Sequence, residues 1–192
     1  MKIFLIRHGQ TTGDIEDRFG GDYNDDLTEH GRCQAEELAG KIKDSRIEKI
    51  FYSPLKRATQ TAQIVHQKLG VNIEMIKDLR ERNAYGILTG QLKSEAKEKY
   101  PDMIEQLKNS KATIEGAEPY EEFKLRVASV FKEITDREFG TIGIITHGGV
   151  ISCFLREVIG RERKSLADCA IIELDFENDQ YEIVKSDGLE LE

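Results

Sequence analysis

Apolar residues fall along this chain in two alternating rhythms. Short runs such as Ile3-Phe-Leu-Ile6 and Ile142-Gly-Ile-Ile145 are apolar almost throughout, as strands covered on both faces are. Between such runs lie segments in which apolar residues recur every three or four positions, the period of a helix with one buried face. The alternation predicts an α/β architecture with a mostly parallel sheet.

In detail, the pattern predicts a strand over Lys2–Ile6 and a helix from Thr28, its N-cap, to Lys43, with Ala35, Leu38 and Ile42 on one face. A strand follows at Lys49–Tyr52. The next helix has Ser53 as cap, Pro54 at its first position and Gly70 at its end, with Leu55, Ala58, Ala62, Val65 and Leu69 as the buried stripe. After a strand at Asn72–Ile76 come a charged loop, Lys77–Leu92, a pair of short helices within Ser94–Asn109 divided at Pro101, and a loop, Ser110–Glu118. A helix opening at Pro119 buries Phe123, Val127, Val130 and Ile134 and places Glu121 and Glu122 at the positive end of its dipole. A strand at Thr141–Thr146, a helix from Gly149 to Ile159 closed by Gly160, and an edge hairpin of Ala170–Phe176 and Gln180–Val184 around Glu177-Asn-Asp179 complete the chain. No internal repeat or Pro/Gly-rich linker divides it. The expectation is a single domain over 1–192, with a loop and helical insertion at about 77–118 over the site.

Composition narrows the function. The formal net charge of −8, with 33% charged residues, argues against nucleic-acid binding and requires any anionic substrate to find a local positive pocket. No stretch reaches a membrane span, and the N-terminal apolar run is too short for a signal peptide, so a soluble cytoplasmic protein is expected. The three cysteines, Cys33, Cys153 and Cys169, are odd in number and form no C-x-x-C pair; reduced thiols follow, with Cys153 and Cys169 in the core. There is no clustered Cys/His set and no P-loop, so neither a metal nor a nucleotide cofactor is expected. Asp22-Tyr-Asn-Asp-Asp26 has Leu27 where a calcium loop needs glycine and Cys33 where it needs glutamate, and reads as a solvated acidic turn.

The chemistry lies with the histidines. Of four, His8 and His147 each follow a buried strand directly and precede glycine, Gly9 and Gly148-Gly149. Ligands of open α/β sheets bind at such strand ends, near the topological switch point, and the glycines let backbone N–H groups approach a ligand. One strand-end histidine is more often structural; two at equivalent places, one beside Arg7, point to function. Arg57, in the first turn after another strand, leans toward the same rim. Two guanidiniums and two imidazoles at one rim make an anion clamp. His30 and His66 fall on surface segments.

These residues carry a resemblance. Leu5-Ile-Arg-His-Gly-Gln-Thr11, Leu27-Thr-Glu-His-Gly31 with Gln34-Ala35, Tyr52-Ser-Pro-Leu-Lys-Arg-Ala-Thr-Gln-Thr-Ala62, Leu79-Arg-Glu-Arg82 with Gly86-Ile-Leu-Thr-Gly90, and Thr146-His-Gly-Gly149 stand in the order found in the histidine phosphatase superfamily, also called phosphoglycerate mutase-like. The chain resembles that family over most of its length. The resemblance implies a three-layer α/β/α sandwich, a mostly parallel sheet with an antiparallel edge, and phosphoryl transfer through a phosphohistidine. It implies His8 as nucleophile, Arg7, Arg57 and His147 as the phosphoryl pocket, and Glu81 as general acid, with Glu115 and Glu118 as fallback acids. Gln10, Asp14, Gly21, Arg82 and Gly148 are the further substrate-binding positions it suggests. The implied partner is a small phosphorylated substrate; the oligomeric state is open, a homodimer among the alternatives.

The sequence departs from the family pattern twice. Asn83-Ala-Tyr85 makes the segment after Glu81 one residue longer, which shifts Glu81 or bulges the loop. Asp14 stands where asparagine is usual; an ionised carboxylate repels phosphate unless it turns away or pairs with a cation such as Arg18. Between activities, Leu92–Glu118 contains no arginine, unlike the basic cap of cofactor-dependent mutases, so a phosphatase is the first reading. A phosphoglycerate mutase-type transferase and a non-catalytic phosphate-binding domain are the alternatives.

Overall fold

The computed structural model describes residues 1–192. In chain order its main elements are β1 (Lys2–Arg7), α1 (Thr12–Ile15), α2 (Glu29–Ile42), β2 (Lys49–Tyr52), α3 (Lys56–Leu69), β3 (Asn72–Met75), α4 (Lys93–Lys99), α5 (Pro101–Gln106), α6 (Tyr120–Thr135), β4 (Thr141–Thr146), α7 (Gly148–Phe154), β5 (Arg163–Glu177) and β6 (Gln180–Leu191). The strands form one sheet in the order β3-β2-β4-β1-β5-β6. β1 to β4 are parallel to one another, β5 runs antiparallel to β1, and β6 antiparallel to β5.

The period-two alternation of β1 divides the core. Ile3 and Leu5 face the layer of α6 and α7, where the Phe131 and Phe154 rings stack at 4.0 Å. Phe4 and Ile6 face the layer of α2 and α3, against Leu38, Ala58 and Ala62. Ala35, Leu38 and Ile42 of α2 and Ala58, Ala62 and Val65 of α3 are buried as predicted, whereas Leu69 is only half-buried and Leu55, also half-buried, precedes the helix. The sandwich has helices on both faces of the sheet, as expected, and a small third cluster of Phe19, Leu88, Ala96 and Ile114 anchors the 77–118 insertion. No helix is long and apolar enough to cross a membrane.

Several boundaries differ from expectation for identifiable reasons. α3 starts at Lys56 with Leu55 in the N-cap position, because Ser53, the expected cap, lies before the turn. Thr11 and Asp14 form a reciprocal capping box for α1, a single turn too short for any hydrophobic period to announce. β5 begins at Arg163 rather than Ala170, and β6 runs to Leu191 rather than Val184. A register shift between Leu166 and Ile171, with Cys169 at φ 52°, breaks the alternation a strand is recognised by. The last helix ends in a π turn over Leu155–Ile159. All cysteines are unpaired; Cys153 is buried but Cys169 only partly, and burial pushes the Cys169 thiol up to about 12.

One expected role of glycine is corrected. Gly9 does not expose its backbone to the rim. A side chain there would lie 2.5 Å from the Gly31 carbonyl oxygen, and one at Gly31 would lie 2.1 Å from that of Gln10. The two glycines let the segment after β1 cross the first turn of α2 backbone against backbone. Gly31→Ala is expected to lose about 1–3 kcal/mol of stability through overpacking. Urea unfolding measures this, and a variant as stable as wild type would mean that the Gln10 carbonyl moves aside freely.

Candidate active site

β1 and β4 are adjacent and in register, with Arg7 beside Thr146, so the residues that follow them are neighbours as well. The amide of His8 donates to the Thr146 carbonyl at 3.0 Å, and the two imidazole centroids stand 5.1 Å apart. From β1 the chain leaves through α2 toward β2; from β4 it leaves through α7, on the other face, toward β5. This is the switch point of the sheet.

Both rings have definite tautomers, because their partners have fixed polarity. The Gly9 carbonyl can only accept, so His8 Nδ1 donates to it at 2.7 Å. Arg57 can only donate, and its Nε sits 3.0 Å from His8 Nε2 and 3.2 Å from His147 Nδ1. His8 Nε2 and His147 Nδ1 are therefore unprotonated. The opposite nitrogen of His147, Nε2, donates to Ser53 Oγ at 2.5 Å. Burial, with the charges of Arg57 and Arg7 adding to it, holds the pKa of His8 well below 6.5. Burial and Arg57 do the same for His147, with His8 and Arg7 contributing less.

Arg57 is buried, and each of its three nitrogens donates to a protein acceptor. Besides the two histidines it reaches the Tyr23 carbonyl at 2.5 Å and Asp25 Oδ1 at 2.8 Å through Nη1, and the Gly21 carbonyl at 2.7 Å through Nη2. Asp25 thus overturns the solvated-turn reading. It is buried and forms the ion pair that neutralises Arg57. Its neighbours do act locally: Asn24 accepts from the Lys56 amide at the start of α3, and Asp26 accepts from Gln60. Arg7 is held at 2.7 Å by the Leu166 carbonyl and at 3.2 Å by Asp168, while its Nε is buried with no hydrogen-bond partner. A buried N–H donor without an acceptor is rare and costly; here it belongs to the pocket lining.

That pocket is a polar cavity of about 180 Å³ lined by Arg7, His8, Asp14, Arg57, Glu81 and Gly148 among others, with no hydrophobic side chain. Glu81 is at its rim. Its Oε1 accepts from the Arg82 amide and its Oε2 from the Gly149 amide, both at 2.8 Å. A side chain at Gly149 would lie 2.3 Å from Glu81 Oε1, so this glycine makes room for the carboxylate. After Glu81 the longer loop folds on itself: the Ala84 amide turns back onto the Arg82 carbonyl, and Asn83 ties to Gly86, Thr89 and Gly116. The fallback acids lie elsewhere. Glu118 is paired through both oxygens with Arg126, and Glu115 is exposed and lines no part of the cavity.

The remaining positions divide. Asp14 lines the cavity but turns its Oδ2 onto the Thr11 amide and hydroxyl; Arg18 pairs with Glu16 instead. Gly21 lines the cavity and gives its carbonyl to Arg57. Gln10 faces Thr28 and is not part of the lining. Arg82 is buried, and Nε, Nη1 and Nη2 donate to the carbonyls of Glu118, Ser110 and Ala112, so it joins the acid loop to the insertion instead of facing the cavity. Asp25, Ser53 and Asp168 escaped the sequence reading. Only proximity reveals them; the single signal was an acidic pair placed directly before an apolar residue and a helix cap.

Two measurements test this electrostatic arrangement. The unfolded chain takes up protons on both histidines below their ordinary pKa of 6.5, whereas the folded rings resist them, so the unfolded state binds more protons. Stability is then expected to be full above that pH and to fall on acidification, by up to about 1.4 kcal/mol per pH unit per histidine. Urea unfolding from pH 7 to pH 5 checks the slope, and a flat profile would mean the rings protonate within the fold. Asp25→Asn leaves Arg57 as an uncompensated buried cation and is expected to cost about 3 kcal/mol. Unchanged denaturant stability would show that Arg57 is neutralised by other groups.

Comparison with known proteins identifies the family. Residues 3–187 match the family model described as histidine phosphatase superfamily (branch 1). A phosphoglycerate mutase-like protein 4 of Arabidopsis thaliana is 32% identical over 157 residues, covering 78% of this chain and 67% of that protein. A protein named probable 2-carboxy-D-arabinitol-1-phosphatase, also of Arabidopsis thaliana, is 32% identical over 91% of this chain, which spans only 38% of that relative's length. The crystal structure of the alpha-ribazole phosphatase of Shigella flexneri superposes with a TM-score of 0.85 at 21% identity, over 95% of this chain and 94% of that one, and shows the shared fold. With its family motifs gathered at one switch point and nearly its whole length matched, the chain is an enzyme of the histidine phosphatase superfamily, branch 1.

Proposed function

We propose that this chain hydrolyses small phosphomonoesters through a phosphohistidine on His8. The observation that carries the reading is the state of that ring: neutral, with Nδ1–H locked on the Gly9 carbonyl and the Nε2 lone pair directed into an arginine-lined cavity. In this reading an arriving phosphoryl oxygen takes the Arg57 Nε donor and leaves the lone pair to attack phosphorus. Arg7 Nε, Arg57 and His147 hold the equatorial oxygens, and the positive charge comes from the guanidiniums, without a metal requirement.

The bond from phosphorus to the ester oxygen breaks as the bond to Nε2 forms, and Glu81 gives its proton to the leaving alkoxide. Water then attacks the phosphohistidine, Glu81 takes back a proton, and phosphate departs. The free alcohol and inorganic phosphate are the products of the ester and one water, so atoms and charge balance. The arginine-free Leu92–Glu118 segment supports hydrolysis, as do relatives named as phosphatases. The mutase reading rests on the relative named phosphoglycerate mutase-like.

His8→Ala is expected to abolish phosphate release from an aryl phosphate; equal rates in variant and wild type would end the enzyme reading. Glu81→Gln is expected to slow alkyl phosphates by about 10²-fold or more and aryl phosphates far less, since a good leaving group scarcely needs an acid. A uniform loss would make Glu81 structural. Incubation with a phosphoglycerate separates the activities: exchange of the 2- and 3-isomers without phosphate release would favour the mutase.

A further inference from the structure

A second cavity, of about 480 Å³, adjoins the first and shares Gly21, Glu81, Gly149 and Arg163 with it. Glu81 lines both cavities and His8 only the smaller one, so the larger offers room for the alcohol part of a phosphomonoester. Its walls carry Tyr85 and Tyr120 and more cations than acids: Arg82, Arg156, Arg163 and Lys164 against Glu81 and Glu162.

Most of these cations are already used. Arg82 gives its donors to three carbonyls. Arg156 donates to the Tyr120 hydroxyl and pairs with Glu157 and, at 3.7 Å, with Glu162. Arg163 differs. Its Nε donates to Ser152 Oγ, and no carboxylate lies within ion-pair distance of it. It is half-buried, and burial, with the like charge of Arg7 added, lowers its pKa, while the more distant charge of Glu81 acts in the opposite sense. Ser152 is itself anchored, its hydroxyl donating to the Gly148 carbonyl on α7, so Arg163 is held by one nitrogen, its Nη groups have no protein partner, and the residue lines both cavities. Lys164, beside it, also has no ion-pair partner but is exposed.

We propose that Arg163 anchors a second anionic group, a carboxylate or phosphate, on the alcohol part of the substrate, so that the preferred substrates are small phosphomonoesters that carry another acid group. The proposal rests on the hydrolase reading above and deepens it. A planar guanidinium held at Nε offers paired Nη donors, which fit the two oxygens of a carboxylate or phosphate. A neutral alcohol leaves those donors unsatisfied in a half-buried place, which is how a site rejects the analogue that lacks the group. The tyrosines beside it supply wall area for a small carbon skeleton.

The test compares 3-phosphoglycerate with glycerol 3-phosphate, which differ in a carboxylate against a hydroxymethyl group, and adds a sugar bisphosphate to distinguish carboxylate from phosphate as the second group. Wild type is expected to favour the acid by about tenfold or more in kcat/KM, the scale of a hydrogen-bonded charge pair. Arg163→Gln should collapse that ratio through KM, and Arg163→Lys should restore part of it. An absent preference in wild type, an Arg163→Gln loss equal on both substrates, or a collapse produced by Lys164→Gln instead would each overturn the proposal. Calorimetric binding of the same compounds to His8→Ala and to His8→Ala/Arg163→Gln keeps the question separate from turnover. If aryl phosphate hydrolysis does not depend on His8, the hydrolase reading fails. The subsite stands or falls on whether the binding preference for the acid vanishes with Arg163.

Discussion

The arrangement of this site depends on one buried cation. A guanidinium removed from water must find acceptors for all its N–H groups and a compensating charge. Arg57 meets that demand at each of its three nitrogens, through the two imidazoles, the Gly21 and Tyr23 carbonyls and the Asp25 carboxylate. Satisfying that single side chain draws together the first turn of α3, the ends of β1 and β4, and the loop of residues 20–26. It also sets the chemistry, because a permanent donor between two rings dictates which nitrogen of each stays unprotonated.

Around this centre the other groups are held by partners that leave one function unused. Arg7 is tied through Nη1 and Nη2 and keeps Nε unpartnered. Arg163 is tied through Nε and keeps its Nη groups. Glu81 is gripped by two backbone amides, one at each oxygen, which fixes its place at the rim. Preorganisation of this kind suits phosphoryl transfer, where positioning and charge stabilisation carry most of the catalysis. It also reconciles a chain of net charge −8 with an anionic substrate: the cations that count are few, partly buried and confined to one rim.

Comparing pattern with structure shows where local information ends. The strands through Ile3–Ile6 and Thr141–Thr146 and the helix stripe Ala58–Ala62–Val65 were legible because burial imposes a period of two or of three to four on consecutive residues. So was the placement of His8 and His147 at strand ends, since each follows its strand without interruption. Ser53 does accept locally from the Leu55 amide, but it lies before the helix, and its shorter bond is to His147, 94 residues away. Arg82 and Gln10 fit a ligand-binding motif but are turned to protein carbonyls and to Thr28.

By itself, then, the sequence determined the alternation of strands and helices, the placement of a histidine at each of two strand ends, and the type of charge beside them, because each follows from residues within a few positions of one another. The tertiary structure alone decided that β1 and β4 set the two histidines side by side, that Asp25 neutralises Arg57, that Asp168 and Leu166 seat Arg7, that two backbone amides hold Glu81, and that Arg163 lines two cavities. Each of these depends on a long-range contact or on a bulge in β5. Such contacts have no period along the chain; they exist only once the sheet has closed and buried charge must find its partner.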